Sequence, residues 1–285
     1  MSYAGIKIYQ KFFEKGLTFW GMRDIIMIES KEDKPKGQGG IMNDIVLAPA
    51  YFASVSGGKD SLYMLKLILS NLEKYPLHGV VYFELEYEYP FITNVINYMQ
   101  SECVRYGIPF YRIKPTKKWM DLYEKYGYPS RIMRWCNSKY KLSCQKKFNE
   151  YMKACNKKAI YYIGFCADEV KRFRDDGNVY PLAIEEVQES EILEWAKEQP
   201  IFNDYYKFNR RCGCMYCPLQ SMLGKAYWCK YYPEEFQFFM NLAKETEKKG
   251  FSVWGSKKYD TDYQIRIVKE KWIPKLEKMI EEYKQ

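Results

Sequence analysis

Residues 56–61 of this chain, with the sequence SGGKDS, bring together groups that could bind a phosphate. They follow the apolar run Ile45–Ala53 and precede a helical pattern of leucines. A strand that runs through two glycines into a helix gathers backbone N–H groups and the positive helix end at one point. Lys59 adds a mobile positive charge, and Asp60 is suited to capping the helix or to holding Mg²⁺ beside a nucleotide. We therefore predict a nucleotide site formed by Ser56, Gly57, Gly58, Lys59, Asp60 and Ser61.

The pattern around this loop alternates strands with helices. Strands are predicted at Ile45–Ala53, His78–Phe83, Phe110–Ile113 and Ala159–Phe165, and helices between them at Ser61–Asn71, Phe91–Tyr106 and Lys139–Cys155. Such alternation predicts an α/β fold, a parallel sheet with helices on both faces. Ligands of these sheets bind at the carboxyl ends of the strands, where the glycine loop falls. Further helices are predicted at 186–199, 233–249 and 262–284, the last interrupted at Pro274.

An acidic segment, Glu84–Pro90, follows the second predicted strand. Glu84 or Glu88, at the carboxyl end of that strand, could accept hydrogen bonds from a ribose. A solvated acidic loop is an equally good interpretation of the same residues.

Nine cysteines, an odd number, argue against a disulfide framework and favour a metal or cluster site. Cys214 and Cys217 form a CxxC pair, whose two thiolates on one tight turn suit Zn²⁺ or an iron–sulfur cluster. Cys136 and Cys212 would complete a site of four ligands, with Cys229 in reserve. A redox dithiol and plain burial are the alternatives, and the ligand set alone does not decide between zinc and a cluster.

The composition of the chain limits which classes of protein and which partners are possible. The formal charge of +9, with 28 tyrosines and 7 tryptophans, suits a nucleic acid or a polyanionic nucleotide. No apolar run is long enough to span a membrane, and the start lacks the order of a signal peptide, which predicts a soluble, cytoplasmic protein. The predicted organisation is an N-terminal extension and linker at 1–44, a nucleotide-binding domain with the cysteine cluster at 45–232, and a helical region at 233–285. The oligomeric state is not predicted.

Several segments, taken together, resemble the phosphoadenosine phosphosulfate (PAPS) reductase family, within the PP-loop superfamily of ATP pyrophosphatases and adenine nucleotide alpha-hydrolases. The matching segments are Ser56–Ser61, Gly127–Pro129, Arg134–Cys136, Gly164–Arg172, Tyr180–Leu182 and Gly213–Pro218. The resemblance implies an adenine nucleotide alpha-hydrolase-like fold with a cysteine-rich metal or cluster loop. It also implies a [4Fe–4S] cluster in preference to Zn²⁺, and anion-binding roles at the nucleotide for Arg134 and Arg172.

Departures from the family's pattern change the expected chemistry. A single Cys136 stands where cluster-bearing reductases have two adjacent cysteines, and Cys166 replaces the first arginine of an anion-binding segment. No cysteine follows Cys229, so the tail cysteine that serves those reductases as nucleophile is missing from this sequence. Reductases commonly lack a lysine in the glycine loop, whereas ATP-cleaving members keep it. Lys59 therefore implies ATP with Mg²⁺ and the release of pyrophosphate.

These features predict an ATP-dependent enzyme that adenylates a substrate in sulfur-related chemistry, with Lys59 and Asp60 as catalytic residues. The acceptor would be a tRNA or DNA that becomes thiolated, and the sulfur donor a cysteine desulfurase or a thioredoxin-type protein. One alternative is a phosphoadenylyl-sulfate or adenylyl-sulfate reductase. The other is a non-catalytic, zinc-stapled module that binds nucleotides or nucleic acid.

Overall fold

The computed structural model describes residues 25–28, 47–255 and 257–284. The chain forms two compact units that are interleaved along the sequence. The first unit consists of Met1–Glu84, Ile96–Thr116 and Ser143–Glu189, and the second of Leu85–Val95, Lys117–Leu142 and Ser190–Gln285. Most of the predicted extension at 1–44 lies outside the described residues.

The first unit contains a parallel sheet. Within the described residues it has five strands, β1 (Ile25–Ile28), β2 (Ala48–Val55), β3 (Gly79–Phe83), β4 (Phe110–Ile113) and β5 (Lys157–Ile163), in the order β1-β4-β3-β2-β5. Every neighbouring pair is parallel. The predicted α/β class is therefore confirmed. The short strand β1, which the sequence analysis included in the extension, pairs with β4 at the edge of this sheet.

Strand β2 lies between β3 and β5, and its central residues are mostly apolar, as a strand covered on both faces requires. Phe52, Ala53 and Val55 are buried, and so is every residue of β3. The register pairs Val55 with Tyr82 and Ser54 with Ile163. The loop that follows β2 therefore starts at the edge where the carboxyl ends of β3 and β5 also lie.

The helices are numbered in chain order. They are α1 (Lys59–Leu69), α2 (Pro90–Arg105), α3 (Trp119–Tyr126), α4 (Leu142–Ala154), α5 (Pro181–Ile184), α6 (Glu189–Lys197), α7 (Tyr205–Phe208), α8 (Met222–Tyr231), α9 (Pro233–Lys248), α10 (Thr261–Ile267) and α11 (Ile273–Lys284). A π-helical turn, Cys136–Lys141, precedes α4, so the long helix predicted at Lys139–Cys155 begins irregularly. The last predicted helix is interrupted by a π-helical segment at Val268–Trp272 and not at Pro274, which is the second residue of α11. Helices α3, α5, α7 and α8 were not predicted.

Aromatic side chains form the core of the second unit. The ring of Trp119, fully buried at the start of α3, lies 5.0 Å from the ring of Tyr216 and 5.2 Å from that of Phe239. The backbone N–H of Trp119 donates to a carboxylate oxygen of Glu86 at 2.6 Å. Because Tyr216 stands inside the CxxC segment, this core fixes the position of the cysteine loop in the second unit.

None of the helices in the described ranges is both long and apolar enough to cross a lipid bilayer.

Candidate functional site

The predicted loop is closed by its own hydrogen bonds. The Ser61 hydroxyl donates to the carbonyl of Gly58 at 2.9 Å and accepts from the backbone N–H of Ser56 at 3.2 Å. Gly57 has a φ of 72°, a left-handed conformation that favours glycine. Gly58 then precedes the first residue of α1 in an extended conformation. The loop thus brings all six predicted residues to the N-terminus of an eleven-residue helix in the first unit.

Lys59 is held by two carboxylates. Its ammonium is fully buried and lies 2.5 Å from Oδ1 of Asp60 and 3.6 Å from Oε1 of Glu189. Glu189, the first residue of α6, is itself only 3% exposed. Removing one member of a buried charge pair leaves the other uncompensated, so these groups depend on one another. Sequence reasoning missed Glu189, since its only local signal was an acidic residue near the start of a predicted helix.

Opposing effects act on the pKa of the Asp60 carboxyl group. Burial is the largest effect and raises its pKa, the Lys59 ammonium opposes that rise, and the charges of Glu169 and Glu189 add to it. The thiol of Cys166 lies 3.9 Å from Oδ1 of Asp60 and donates to it. Burial also raises the pKa of Cys166 to about 12, so this thiol stays protonated and acts as a donor.

Gly164 explains how β5 can approach the loop. A Cβ at this position would lie 3.1 Å from the carbonyl oxygen of Asp60 and 3.4 Å from the backbone nitrogen of Ser61. Both atoms are backbone, so they cannot move aside as a flexible side chain could. A side chain at Gly164 would therefore have to displace this backbone by a few tenths of an ångström, so a glycine suits the close approach of the segment after β5 to the first turn of α1.

Arg172 and Glu84 are the other predicted nucleotide residues in the first unit. The Arg172 guanidinium donates to Glu169 at 2.7 Å and stacks on the ring of Phe165 at 3.9 Å, while its side chain stays 47% exposed. Glu84 follows β3, and its Oε1 is 4.0 Å from Arg112. Its Oε2 is buried and accepts no hydrogen bond from the described residues. A buried carboxylate oxygen without a donor fits the predicted contact with a ribose hydroxyl.

The ion pair between Lys59 and Glu189 can be tested by substitution. In Glu189→Gln we expect the free energy of unfolding to fall by about 1–3 kcal/mol, because Lys59 loses one of two charges that compensate it. Glu194→Gln, on the same helix but with a side chain 69% exposed, is the matched control and should change stability by less than about 0.5 kcal/mol. Urea unfolding measures both, and equal effects of the two variants would contradict the assignment.

The predicted metal ligands lie in the second unit, where the CxxC thiols interact. A hydrogen bond from Cys214 lowers the pKa of Cys217 to about 7, with smaller contributions from the charges of Arg134 and Lys225. Burial raises the pKa of Cys136 to about 11, and the charge of Cys217 adds to the rise. Burial also raises the pKa of Cys212. The charge of Arg134 lowers the pKa values of both Cys136 and Cys217.

The four predicted cysteines have the right chemistry for a four-thiolate site. Cys136, Cys212 and Cys214 each interact electrostatically with Cys217. In the described parts of the chain, however, no three or more histidine, cysteine or acidic side chains are arranged to hold a metal ion. Burial raises the pKa of the reserve residue Cys229, and the charge of Lys269 opposes that rise.

A buried lysine accompanies these cysteines. Lys225, on α8, is 5% exposed, donates to Oε1 of Gln264 at 2.8 Å and lies 4.0 Å above the ring of Trp254. Burial lowers its pKa to about 8, and the nearby Cys217 opposes that effect. Sequence reasoning missed Lys225, because nothing in its local pattern distinguishes it from a solvated lysine.

The parallel sheet with its glycine loop defines an α/β protein of the adenine nucleotide alpha-hydrolase-like type. Residues 50–220, more than half of the chain, match the phosphoadenosine phosphosulfate reductase domain, and the protein belongs to that family. It is also similar to an uncharacterized protein of Methanocaldococcus jannaschii, with 26% identity over 209 residues. That similarity covers 67% of this chain and 47% of the relative, so the chain spans about half the length of that protein.

The family assignment confirms the resemblance on which the sequence analysis relied. It indicates a sulfur–nucleotide function at the level of the family, and an enzyme of the sulfonucleotide or PP-loop type.

Proposed function

We propose that this protein binds ATP and transfers its adenylate group to an acceptor in sulfur-related chemistry. An acceptor oxygen would attack the α-phosphorus, the bond between the α-phosphorus and its bridging oxygen would break, and pyrophosphate would leave. The observation that carries the proposal is the position of Lys59. It is the first residue of a helix that follows two glycines, and carboxylates hold its ammonium at the place where phosphates would bind.

Each loop residue has a part in this proposal. The backbone of Gly57 and Gly58 would approach the phosphates closely, and the hydroxyl of Ser56 would donate to a phosphate oxygen. The hydroxyl of Ser61 would do the same on giving up its hydrogen bond to the Gly58 carbonyl. Lys59 would exchange a carboxylate for the leaving pyrophosphate and neutralise its developing charge.

The remaining first-unit residues would bind the rest of the nucleotide. The carboxylate of Asp60, a hard oxygen donor, would hold Mg²⁺, which supplies charge neutralisation at the phosphates when bound. The unpaired Oε2 of Glu84 would accept from a ribose hydroxyl. Arg172, whose side chain is 47% exposed, would bind an anionic group.

The cysteines and Arg134 complete the proposal. Cys136, Cys212, Cys214 and Cys217 would hold a [4Fe–4S] cluster, with Zn²⁺ as the alternative, and such a cluster supplies sulfur or electron chemistry when present. Arg134 would contribute positive charge for the nucleotide. The acceptor would be tRNA or DNA, with sulfur supplied in the cytoplasm by a cysteine desulfurase or a thioredoxin-type protein.

The test is a pyrophosphate-release assay on anaerobically purified protein with ATP and Mg²⁺, in the presence of tRNA, of single-stranded DNA, or of no acceptor. We expect release that requires both ATP and one of the nucleic acids. ATP binding without pyrophosphate release under any condition would contradict the proposal and favour a non-catalytic module.

The family match itself favours a second candidate, reduction of adenylyl sulfate or its phosphorylated form. Sulfite formation that depends on thioredoxin and is insensitive to ATP would support that reaction instead.

A further inference from the structure

One segment of the second unit is rich in positive charge. Between residues 117 and 142 the chain carries seven basic side chains and two acidic ones. In the ranges that the structure describes, none of these seven basic side chains forms an ion pair with a carboxylate. We call six residues of this segment the basic ridge: the exposed Lys125, Arg131, Ile132, Met133 and Lys139, and the half-buried Tyr126.

Two cations lie near one aromatic ring of the basic ridge. The ammonium of Lys125 is 5.4 Å from the centre of the Tyr126 ring, and that of Lys139 is 5.5 Å from the same centre. The Tyr126 ring is half-buried and lies 6.4 Å from that of Trp135. An aromatic ring close to two cations offers a surface on which a base can stack, and the cations offer counter-charges to the neighbouring phosphates.

Apolar side chains complete the ridge. Ile132 is 91% exposed and Met133 is 40% exposed, while Arg131 beside them is also exposed. Covering such exposed apolar side chains with a binding partner is favourable, because it removes apolar surface from water.

The turn that carries these side chains is held by hydrogen bonds at both ends. The backbone N–H of Met133 donates to the Ser130 hydroxyl at 3.0 Å, and that of Ser130 donates to the carbonyl of Met133 at 3.2 Å. The Trp135 indole donates to the carbonyl of Gly127 at 3.0 Å. The exposed residues are therefore presented on a fixed turn, which reduces the entropy lost when they bind a partner.

We propose that the basic ridge binds single-stranded nucleic acid. Lys125, Arg131 and Lys139 contact phosphates, while Tyr126, Ile132 and Met133 contact unstacked bases. The inference deepens the proposed function, on which it rests for taking a nucleic acid as acceptor, and adds the surface that the acceptor would occupy.

A nucleic acid fits the ridge better than an anionic membrane does. Only two large apolar side chains, Ile132 and Met133, project from it, whereas membrane-surface segments present an extended apolar face. Two of its cations lie near an aromatic ring. This combination suits a single strand, because its phosphates can bind the cations while a base stacks on the ring.

The test measures binding of a fluorescently labelled single-stranded oligonucleotide by the full chain at several salt concentrations. In the triple variant K125Q/R131Q/K139Q we expect affinity to fall about 10- to 100-fold. The slope of log K against log salt should become shallower by about 2, because about three phosphate contacts are lost. The matched control is K153Q/K158Q/K249Q, which removes three exposed lysines outside the ridge and should bind like the unmodified protein.

A second variant separates base contacts from charge. Ile132→Ser keeps every charge, and we expect it to weaken oligonucleotide binding about three- to tenfold with an unchanged salt slope. Equal affinities of the triple variant and its control would overturn the proposal. So would a triple variant that loses binding to vesicles of anionic phospholipid but keeps oligonucleotide binding.

Failure of this inference can be told apart from failure of the proposed function by measuring ATP binding in the same preparations. The triple variant should bind ATP like the unmodified protein, because none of its three residues belongs to the glycine loop. Loss of oligonucleotide binding with intact ATP binding supports the ridge. Protein that binds ATP but no oligonucleotide would overturn the ridge and the nucleic-acid acceptor but not the nucleotide site, and protein that binds oligonucleotide but not ATP would overturn only the nucleotide site.

Discussion

Pyrophosphate release by Lys59→Ala is expected to fall by about 10²–10³-fold relative to the unmodified protein, with weaker binding of ATP. The reason is that the variant loses the positive charge that would neutralise the leaving pyrophosphate at the helix N-terminus. Pyrophosphate release under saturating ATP and titration calorimetry with ATP measure the two effects. Lys66→Ala is the matched control, since Lys66 is an exposed lysine on the same helix α1.

Folding must be measured alongside, because Lys59 also compensates a buried charge. Its removal leaves Glu189, with a side chain 4% exposed, without its cation, and we expect stability to fall by roughly 3–5 kcal/mol. The double variant Lys59→Ala/Glu189→Gln removes both charges and should recover part of that stability while its activity stays low. Recovery of pyrophosphate release together with stability would show that Lys59 acts only through folding. Unchanged ATP affinity in a folded single variant would also count against the site.

Bound metal is expected to fall at least about tenfold in Cys214→Ser and Cys217→Ser, because a four-thiolate site loses a ligand in each. Metal analysis and the visible spectrum of anaerobically purified protein are the measurements. The unmodified protein should contain iron and sulfide and show the broad visible absorbance of a cluster. Cys155→Ser replaces an exposed cysteine outside the set and serves as the control.

The same measurements distinguish an iron–sulfur cluster from zinc and show which cysteines are ligands. Zinc at one ion per chain, without iron, would contradict the cluster and support the zinc alternative. Metal retained in Cys136→Ser but lost in Cys229→Ser would show that the reserve cysteine is a ligand in its place. Metal-free unmodified protein would contradict both groups.

The glycine loop was predictable because its structure depends on residues that are adjacent in sequence. The φ of Gly57 and the hydrogen bond from Ser61 to Gly58 are set within six residues, and the preceding strand is a short apolar run. The parallel class followed in the same way from the alternation of strands and helices. Strand β4 has the bounds that were predicted, whereas β2 begins and ends a few residues later, because strand ends depend on neighbouring strands as well as on local pattern.

The charged partners of the loop could not be predicted, since they come from distant parts of the chain. Glu189 reaches Lys59 only when the start of α6 folds back onto the loop, and Cys166 reaches Asp60 only at the end of β5. The burial that shifts the pKa of Asp60, and that of Lys225 in the second unit, depends on packing rather than on sequence.

The family, the parallel α/β class and the loop residues Ser56–Ser61 can be read from the chain alone, because each depends on a local pattern of residues. The folded chain was needed to show that Lys59 is buried between Asp60 and Glu189, that the backbone of α1 leaves little room for a side chain at Gly164, and that Glu84 has a carboxylate oxygen without a donor in the described residues. The physical reason is that electrostatic partners and close backbone contacts depend on distance in space, which hydrophobic periodicity and motif spacing do not encode.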